Sequence, residues 1–268
     1  MMSVAEHEPV SSHPHELARL GVVLVAAGRG ERLGAGKPKA FVELAGETLI
    51  ERCARTITSL PGGGHLVVVV PEELAGETLA LLAQFTDAGS LWELSVTPGG
   101  RERHESVRFG VDALPEYADV VLVHDAARPL TPAALFERVA TEVRRTAASV
   151  IPALPVVDTL KRVDANGVVH ETVDRAPLVA VQTPQGFPRE LLAAAHDRLG
   201  SVSAPVGAEQ PTDDAEVVQR AGGTVLTVPG EALAHKLTTP GDLTLLLALL
   251  NAQGPGTQSP GTQDGASR

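Results

Sequence analysis

The amino-acid sequence predicts an α/β fold, a mostly parallel sheet flanked by helices, and three observations carry that prediction. Short continuous apolar runs recur along the chain: "GVVLV" at 21–25, "LVVVV" at 66–70 and "DVVLV" at 119–123. Strands buried on both faces read in this way. Segments with helical spacing of apolar residues lie between the runs. The rhythm then breaks over 155–175, where polar and apolar residues alternate around "DANG".

Each element follows in order. After the strand at 21–25, "ETLIERCARTITSL" (47–60) places Ile50, Ala54 and Ile57 on one helical side. The second strand, 66–70, runs into a helix over 71–85, which opens with Pro71, Glu72 and Glu73 as a helix N-terminus favours. Trp92 begins a strand over 91–96, a helix follows over 105–114, and the next strand is 119–123. A helix over 131–147 takes Thr131 as its cap and Pro132 at its first position. A strand over 148–154 leads into the 155–175 segment, read as a β-hairpin with its turn at Asn166-Gly167. A helix (212–222), a strand (224–228) and a closing helix (239–250) complete a single Rossmann-like domain over 20–250 with one protruding hairpin arm. The arm has too little apolar surface to form a core alone, so it must pack on something, and a second subunit is a candidate.

Composition narrows the function. The chain has 268 residues, 43% of them hydrophobic, enough for one substantial core. A net charge of −11 argues against coating nucleic acid. The single cysteine, Cys53, rules out an internal disulfide, suits a reducing cytoplasm and reads as core on its helix, as Trp92 does on its strand. No apolar run approaches the roughly 20 residues that span a bilayer. Residues 1–19, with His7, His13 and His15, read as a disordered leader, and 251–268, rich in Gly, Pro, Ser and Gln, as a disordered tail.

In a parallel α/β sheet, ligands bind beyond the carboxyl ends of the strands. The loops there repeatedly carry Gly, Arg, Lys and Asp: "TPGGRERHES" after 91–96, "HDAARP" after 119–123 and "PGEALAHKLTT" after 224–228. The first loop is the most concentrated. "LVAAGRGERLGAGKPKAF" (24–41) holds Arg29, Arg32, Lys37 and Lys39 in an acidic protein. It is not a P-loop, because Pro38 follows Lys37 where a hydroxyl residue is needed. It is not a dinucleotide fingerprint, because Leu33 stands at the third glycine and "VVVVPEE" lacks the expected acidic residue after a strand. That argues against an NAD-dependent oxidoreductase. What remains is a glycine-rich cationic loop suited to a polyanionic small molecule, above all phosphates.

That loop resembles the start of the sugar-nucleotidyltransferase superfamily. The later motifs "PGGRERHESV" (98–107), "VLVHDAARP" (121–129), "DTLKR" (158–162), "TVDR" (172–175), "QTPQGF" (182–187), "TDDA" (212–215) and "HKLT" (235–238) narrow it. In this order they resemble the 2-C-methyl-D-erythritol 4-phosphate cytidylyltransferase family of the non-mevalonate isoprenoid pathway, over residues 20–250. Ribitol-phosphate cytidylyltransferases share the motifs. The sequence departs from the usual pattern at Asp214 (Glu), His235 (apolar) and Ala40-Phe41 (Gln-Tyr).

The resemblance implies specific roles. Ala26, Ala27, Gly28 and Gly30 would line CTP, and Arg32 and Lys39 would stabilise the transition state at its α-phosphate. Gly100 and Ser106 would contact the cytosine; Asp125, Ala126 and Arg128 would contact ribose, phosphate and the sugar phosphate. Thr159 and Arg175 would sit on an arm that reaches across a homodimer into the neighbour's site. Arg175 and Lys236 would position the methylerythritol phosphate, and Thr212 and Asp213 would hold its hydroxyls. Thr183 reads as structural. Mg²⁺ would bind mainly through the CTP phosphates, with its protein ligands unassigned. The reaction implied is in-line attack of the substrate phosphate on the α-phosphorus, releasing pyrophosphate. Two anions must meet, and each unit-charge pair at about 4 Å costs roughly 4 kcal/mol at an effective dielectric near 20. Neutralisation and alignment are therefore what the protein must supply. The alternatives are a ribitol 5-phosphate enzyme of the same chemistry and a non-catalytic nucleotide-binding subunit.

Overall fold

The first apolar run forms strand β1 (Leu20–Val25), in which Val22, Val23 and Leu24 are wholly buried. A computed structural model describes residues 19–28, 38–86, 89–201 and 210–252; the leader up to residue 18 and the tail from 253 lie outside them. A small hairpin, β2 (Glu43–Leu44) and β3 (Glu47–Thr48), precedes α1 (Leu49–Thr58). The helix begins two residues later than the sequence suggests because Thr48 is its cap. The Glu51 amide donates to Thr48 Oγ1, and Glu51 Oε2 accepts the Thr48 amide.

Strand β4 (Gly64–Val70) leads through a 3₁₀ turn to α2 (Ala75–Leu82), shorter than the expected 71–85 because 3₁₀ turns occupy both flanks. Strand β5 (Trp92–Pro98), helix α3 (Arg103–Asp112), strand β6 (Val120–Asp125), helix α4 (Ala133–Thr146) and strand β7 (Ser149–Pro155) follow. Thr131 does not cap α4. Its Oγ1 donates to the Arg128 carbonyl at 2.9 Å, and Pro132 takes the N-cap place.

The arm is the hairpin β8 (Leu160–Val163) and β9 (Val169–Val173). Val163 pairs with Val169, so the connection is longer than an Asn-Gly turn. Asp164 shapes it: its Oδ1 accepts the Asn166 and Val168 amides, its carbonyl accepts the Gly167 amide, and Gly167 takes φ +80°. Strands β10 (Val179–Val181) and β11 (Gln185–Pro188), then helix α5 (Arg189–Ser201), are elements the sequence does not announce. Gly186 explains part of this. A side chain there would start 2.5 Å from Val139 Cγ1 on α4, so packing demands a residue that reads as a turn. Helix α6 (Asp214–Arg220), strand β12 (Val225–Pro229) and helix α7 (Pro240–Ala252) end the described chain.

The sheet runs β5-β4-β1-β6-β11-β7-β12, with β10 continuing the line of β11 along β7. The β1–β4, β1–β6, β4–β5 and β7–β12 pairs are parallel, and β11 runs antiparallel between β6 and β7. Alternate residues of β1 feed two cores. Val22 and Leu24 pack with Ile50 and Ile57 of α1 and Phe136 and Val139 of α4. Val23 packs with Val107 and Val111 of α3, Leu192 of α5 and Val217 of α6. Each fully buried aliphatic side chain contributes about 1.5–3 kcal/mol. The sheet is thus held rigidly from both faces, and the loops at its carboxyl rim start from fixed positions. Cys53 and Trp92 are core, as expected; the indole Nε1 donates to the Leu60 carbonyl. No helix among the described residues is long and apolar enough to cross a membrane.

Candidate functional site

From β1 the chain steps to β4 and β5 on one side, while β6 lies on the other, so strand order reverses between β1 and β6. Ligands bind at such points in open α/β sheets. A cleft of about 280 Å³ opens there. Ala26, Ala27 and Gly28 line it from the end of β1, Gly100 from the β5–α3 connection, Ser106 from the first turn of α3, and Asp125 and Ala126 from the end of β6. Lys39 and Lys236 close it from outside the sheet. A recess of about 200 Å³ shares Arg103, Asp125 and Lys236 with the cleft and adds Arg128, Thr212 and Asp213. Gly30 and Arg32, expected to belong here, lie outside the described residues.

Main-chain bonds limit what this wall can offer. The Ala26 amide donates to the Val69 carbonyl at 2.8 Å and the Ala126 amide to Val25 at 3.1 Å. Both extend the sheet and are not available to a ligand. Among the described residues nothing lies within 4 Å of where a Gly28 side chain would begin. Gly99 is different. A Cβ there would stand 2.4 Å from Ala27 Cβ, so only glycine lets the two walls approach.

The Ser106 hydroxyl is spent inside its own loop. Its Oγ accepts the Gly100 amide at 3.0 Å and donates to the Glu102 carbonyl at 3.1 Å. Glu105 Oε2 accepts the Arg101 and Glu102 amides, which holds the Glu105 carboxyl below its usual range. The Ser106 hydroxyl thus shapes the loop at the cleft wall that it also lines.

A charged network runs across the floor. Lys236 Nζ donates to Asp125 Oδ2 at 2.7 Å, Arg103 Nη2 to Asp125 Oδ1 at 3.1 Å, and Arg103 Nη1 to the buried Asp214 Oδ2 at 2.7 Å. Burial pushes the Asp125 carboxyl up, but Arg103 and Lys236 outweigh it and hold the group ionised well below the usual carboxylate range. Burial likewise works against the Arg103 charge, and its two carboxylates more than restore it.

Sequence reasoning missed Arg103. The available signal was its place at the first position of α3, where a cation opposes the helix dipole and needs a carboxylate nearby. Asp214 answers one family departure: it faces Arg103 from the core rather than a sugar. His235 answers another. Its Nε2 pairs with Asp242 Oδ1 at 2.8 Å, and Asp242 Oδ2 accepts the Thr238 and Thr239 amides, tying the Lys236 loop to α7. At the third, Ala40 and Phe41 are both buried against the core beside Lys39.

Arg128 points its Nη1 at the Ala234 carbonyl at 2.6 Å, and the Leu237 amide donates to Ala127. These bonds bring the β6 and Lys236 loops together. Thr212 and Asp213 reach the recess but serve α6 first. Asp213 Oδ1 accepts the Glu216 amide and Oδ2 a Gln185 amide proton, while Thr212 Oγ1 donates to Glu216 Oε2. Thr159 and Arg175 do not line the cleft of their own chain. Both are exposed on the arm, and Arg175 lines a separate groove of about 750 Å³ at its base with Val157, Leu178 and Val179.

Fold and cleft together define a class: an α/β protein that presents ammonium and guanidinium groups in a cleft at the switch point of its sheet. The chain belongs to the family of IspD, 2-C-methyl-D-erythritol 4-phosphate cytidylyltransferase, whose family model matches residues 20–252. It is 50% identical over 225 residues to a bifunctional enzyme IspD/IspF of Clavibacter michiganensis, covering 84% of this chain and 53% of that protein's length. It is 46% identical to the 2-C-methyl-D-erythritol 4-phosphate cytidylyltransferase of Rhodococcus jostii, covering 84% of this chain and 92% of the relative. Among solved structures it resembles the 2-C-methyl-D-erythritol 4-phosphate cytidylyltransferase of Thermus thermophilus, with TM-score 0.68, 33% identity, and 86% and 98% of the two chains covered.

Proposed function

We propose that the protein transfers CMP from CTP to 2-C-methyl-D-erythritol 4-phosphate, releasing pyrophosphate. The observation that carries this reading is the convergence of Lys39, Arg103 and Lys236 on one cleft, with Arg128 in the adjoining recess. Triphosphate contacts fall to Lys39, to Arg32, and to the Ala27 and Gly28 amides, since the Ala26 and Ala126 amides are engaged in the sheet. With the Gly100, Arg101 and Glu102 amides all taken, base selection falls to main-chain carbonyls, which accept from the cytosine amine and disfavour uracil. Lys236 and Arg128 receive the attacking phosphate, which is already ionised and needs no general base. What the residues supply is charge neutralisation and an in-line approach.

Magnesium fits this site as a partner of the nucleotide. No group of three or more His, Cys, Asp or Glu among the described residues could hold a metal. The cleft offers the carboxylates Asp125 and Glu102, and both Asp125 oxygens already pair with cations, so the ion would be held chiefly by CTP phosphates. Bound there, it would neutralise phosphate charge.

The arm supports a homodimer. Val157 is 78% exposed, and Leu178, Val179 and Val181 are exposed beside it at the arm's root, where a second copy would cover them. Arg175 and Thr159 would then complete the partner's recess. A single buried cysteine fits a cytoplasmic setting. The test is incubation with CTP, Mg²⁺ and methylerythritol phosphate, following pyrophosphate, with ribitol 5-phosphate and UTP as controls. No pyrophosphate with the first combination refutes the reading, and turnover only with ribitol 5-phosphate reassigns the substrate.

A further inference from the structure

Asp125 holds two cations on one carboxylate, and it holds them differently. Arg103 has a second anchor in Asp214, which is wholly buried and whose side chain makes its hydrogen bond to Arg103 alone among the described residues. Asp214 Oδ1 and the His196 Nε2 behind it stand 3.8 Å apart and neither has a hydrogen-bond partner, so the Asp214 charge is directed at the guanidinium. The planar fork of arginine spans both carboxylates, which a single ammonium does not. Lys236, by contrast, has a side chain 44% exposed, pairs with Asp125 through one nitrogen and faces both the cleft and the recess. The two carboxylates and two cations cancel. An incoming phosphate therefore meets a lysine already claimed by a carboxylate.

We propose that Lys236 changes partners when a phosphate group enters, passing from Asp125 to the phosphate, and that Arg103, pinned by Asp214, is the positioning residue that permits the exchange. Arg103 stays behind as the counter-ion of Asp125. Without it, the departure of Lys236 would strand a buried carboxylate, which is strongly unfavourable. The exchange also orders events: the ammonium is withheld from solvent ions until a doubly charged phosphate outcompetes Asp125. Its catalytic consequence rests on the transferase reading; the exchange itself does not.

The test is calorimetric titration of the full chain with inorganic phosphate, which needs no turnover. Removing Arg103 would leave Asp214 buried and unpaired, so the series is built on Asp214→Asn. Adding Arg103→Met should weaken phosphate binding at least tenfold, because Lys236 becomes the one cation among the described residues that is hydrogen-bonded to Asp125. Adding Asp125→Asn to that pair should restore binding to within about threefold of the Asp214→Asn chain. Restoration separates this role from direct contact: an arginine that touched phosphate itself, or served only the fold, would not be replaced by deleting a carboxylate. Failure to restore overturns the proposal, as does phosphate binding that survives Lys236→Met in the otherwise natural chain. If the Arg103→Met chains do not fold, the neutral Arg103→Gln is used, with the same order of effects. The single Asp125→Asn variant should bind phosphate at least threefold tighter than the natural chain, and unchanged affinity also counts against the exchange. Absence of CMP transfer by the natural chain would sink the transferase reading while this series still decides the exchange.

Discussion

Thr183 Oγ1 lies 3.1 Å from the Asp125 amide nitrogen and 3.1 Å from His124 Nδ1. The amide donates to the hydroxyl, and because Nε2 of the neutral ring faces a carbonyl, which only accepts, Nδ1 is unprotonated and receives the hydroxyl proton. His124 then carries its own proton on Nε2, which points at the Arg128 carbonyl at 3.3 Å. This directional chain fixes both ends of "HDAAR". Thr183→Val keeps the shape and removes the hydroxyl, leaving a buried amide and a buried ring nitrogen unpaired. Stability should fall by about 1–3 kcal/mol in urea denaturation. An unchanged midpoint would show that the chain contributes nothing.

The same histidine predicts a pH dependence. Burial, opposed by Asp125, pushes the His124 imidazole down to about 4 from an ordinary value of 6.5. Below pH 6.5 the unfolded chain takes up this proton and the folded chain does not. Stability is therefore fully present above that pH and is lost as pH falls from 6.5 toward 4, by roughly 3 kcal/mol from this group at the end of the window. His124→Gln should flatten the dependence of denaturation free energy on pH between 7 and 4.5. Parallel curves for the two chains would remove His124 as the cause.

Ser106→Ala deprives the Gly100 amide of its acceptor at the cleft wall. If this loop receives the base as proposed, KM for CTP should rise about fivefold with kcat within twofold. Steady-state kinetics at saturating polyol phosphate would show it, and a loss confined to kcat would contradict the assignment.

Lys39→Ala removes a cation from the cleft lining while Ala40 and Phe41 keep their places in the core. Turnover should fall by about 10²–10³-fold, with thermal unfolding nearly unchanged. Near-normal turnover would refute the role.

Arg175 on the arm allows a complementation test. In a dimer of one Lys39→Ala and one Arg175→Ala chain, shared sites leave one site with both residues intact and one with neither. Purified heterodimers should regain about half of natural activity per dimer. No recovery would mean that each arm serves its own chain or none.

The sheet was legible because its strands are apolar on both faces and nothing else in a chain of this size buries "LVVVV". The β10, β11 and α5 stretch was not, because Gly186, demanded by Val139, and Pro188 disguise a strand as a loop. The site was legible at Lys39, Asp125 and Lys236 through motif order, and those three do meet. Ser106 and Asp213 were found by motif and do line the cleft and the recess, but their local roles, holding the Gly100 amide and capping α6, are visible only in the fold. Arg103 was overlooked because its significance lies in Asp214, more than a hundred positions along the chain, a pairing that only the α3–α6 side of the fold brings about.

The arm is rooted where Val179 pairs with Pro155, so the two strands that bracket it are already joined to each other within the main sheet. Everything from 156 to 178 is thus an excursion that leaves and returns through a closed doorway. Evolution, or an engineer, can recut such an excursion without touching the catalytic floor. If two copies pair through the arm as proposed, exchanging the hairpin between relatives should rewrite which chains recognise one another as mates, and leave the nucleotide end of each chain as it was.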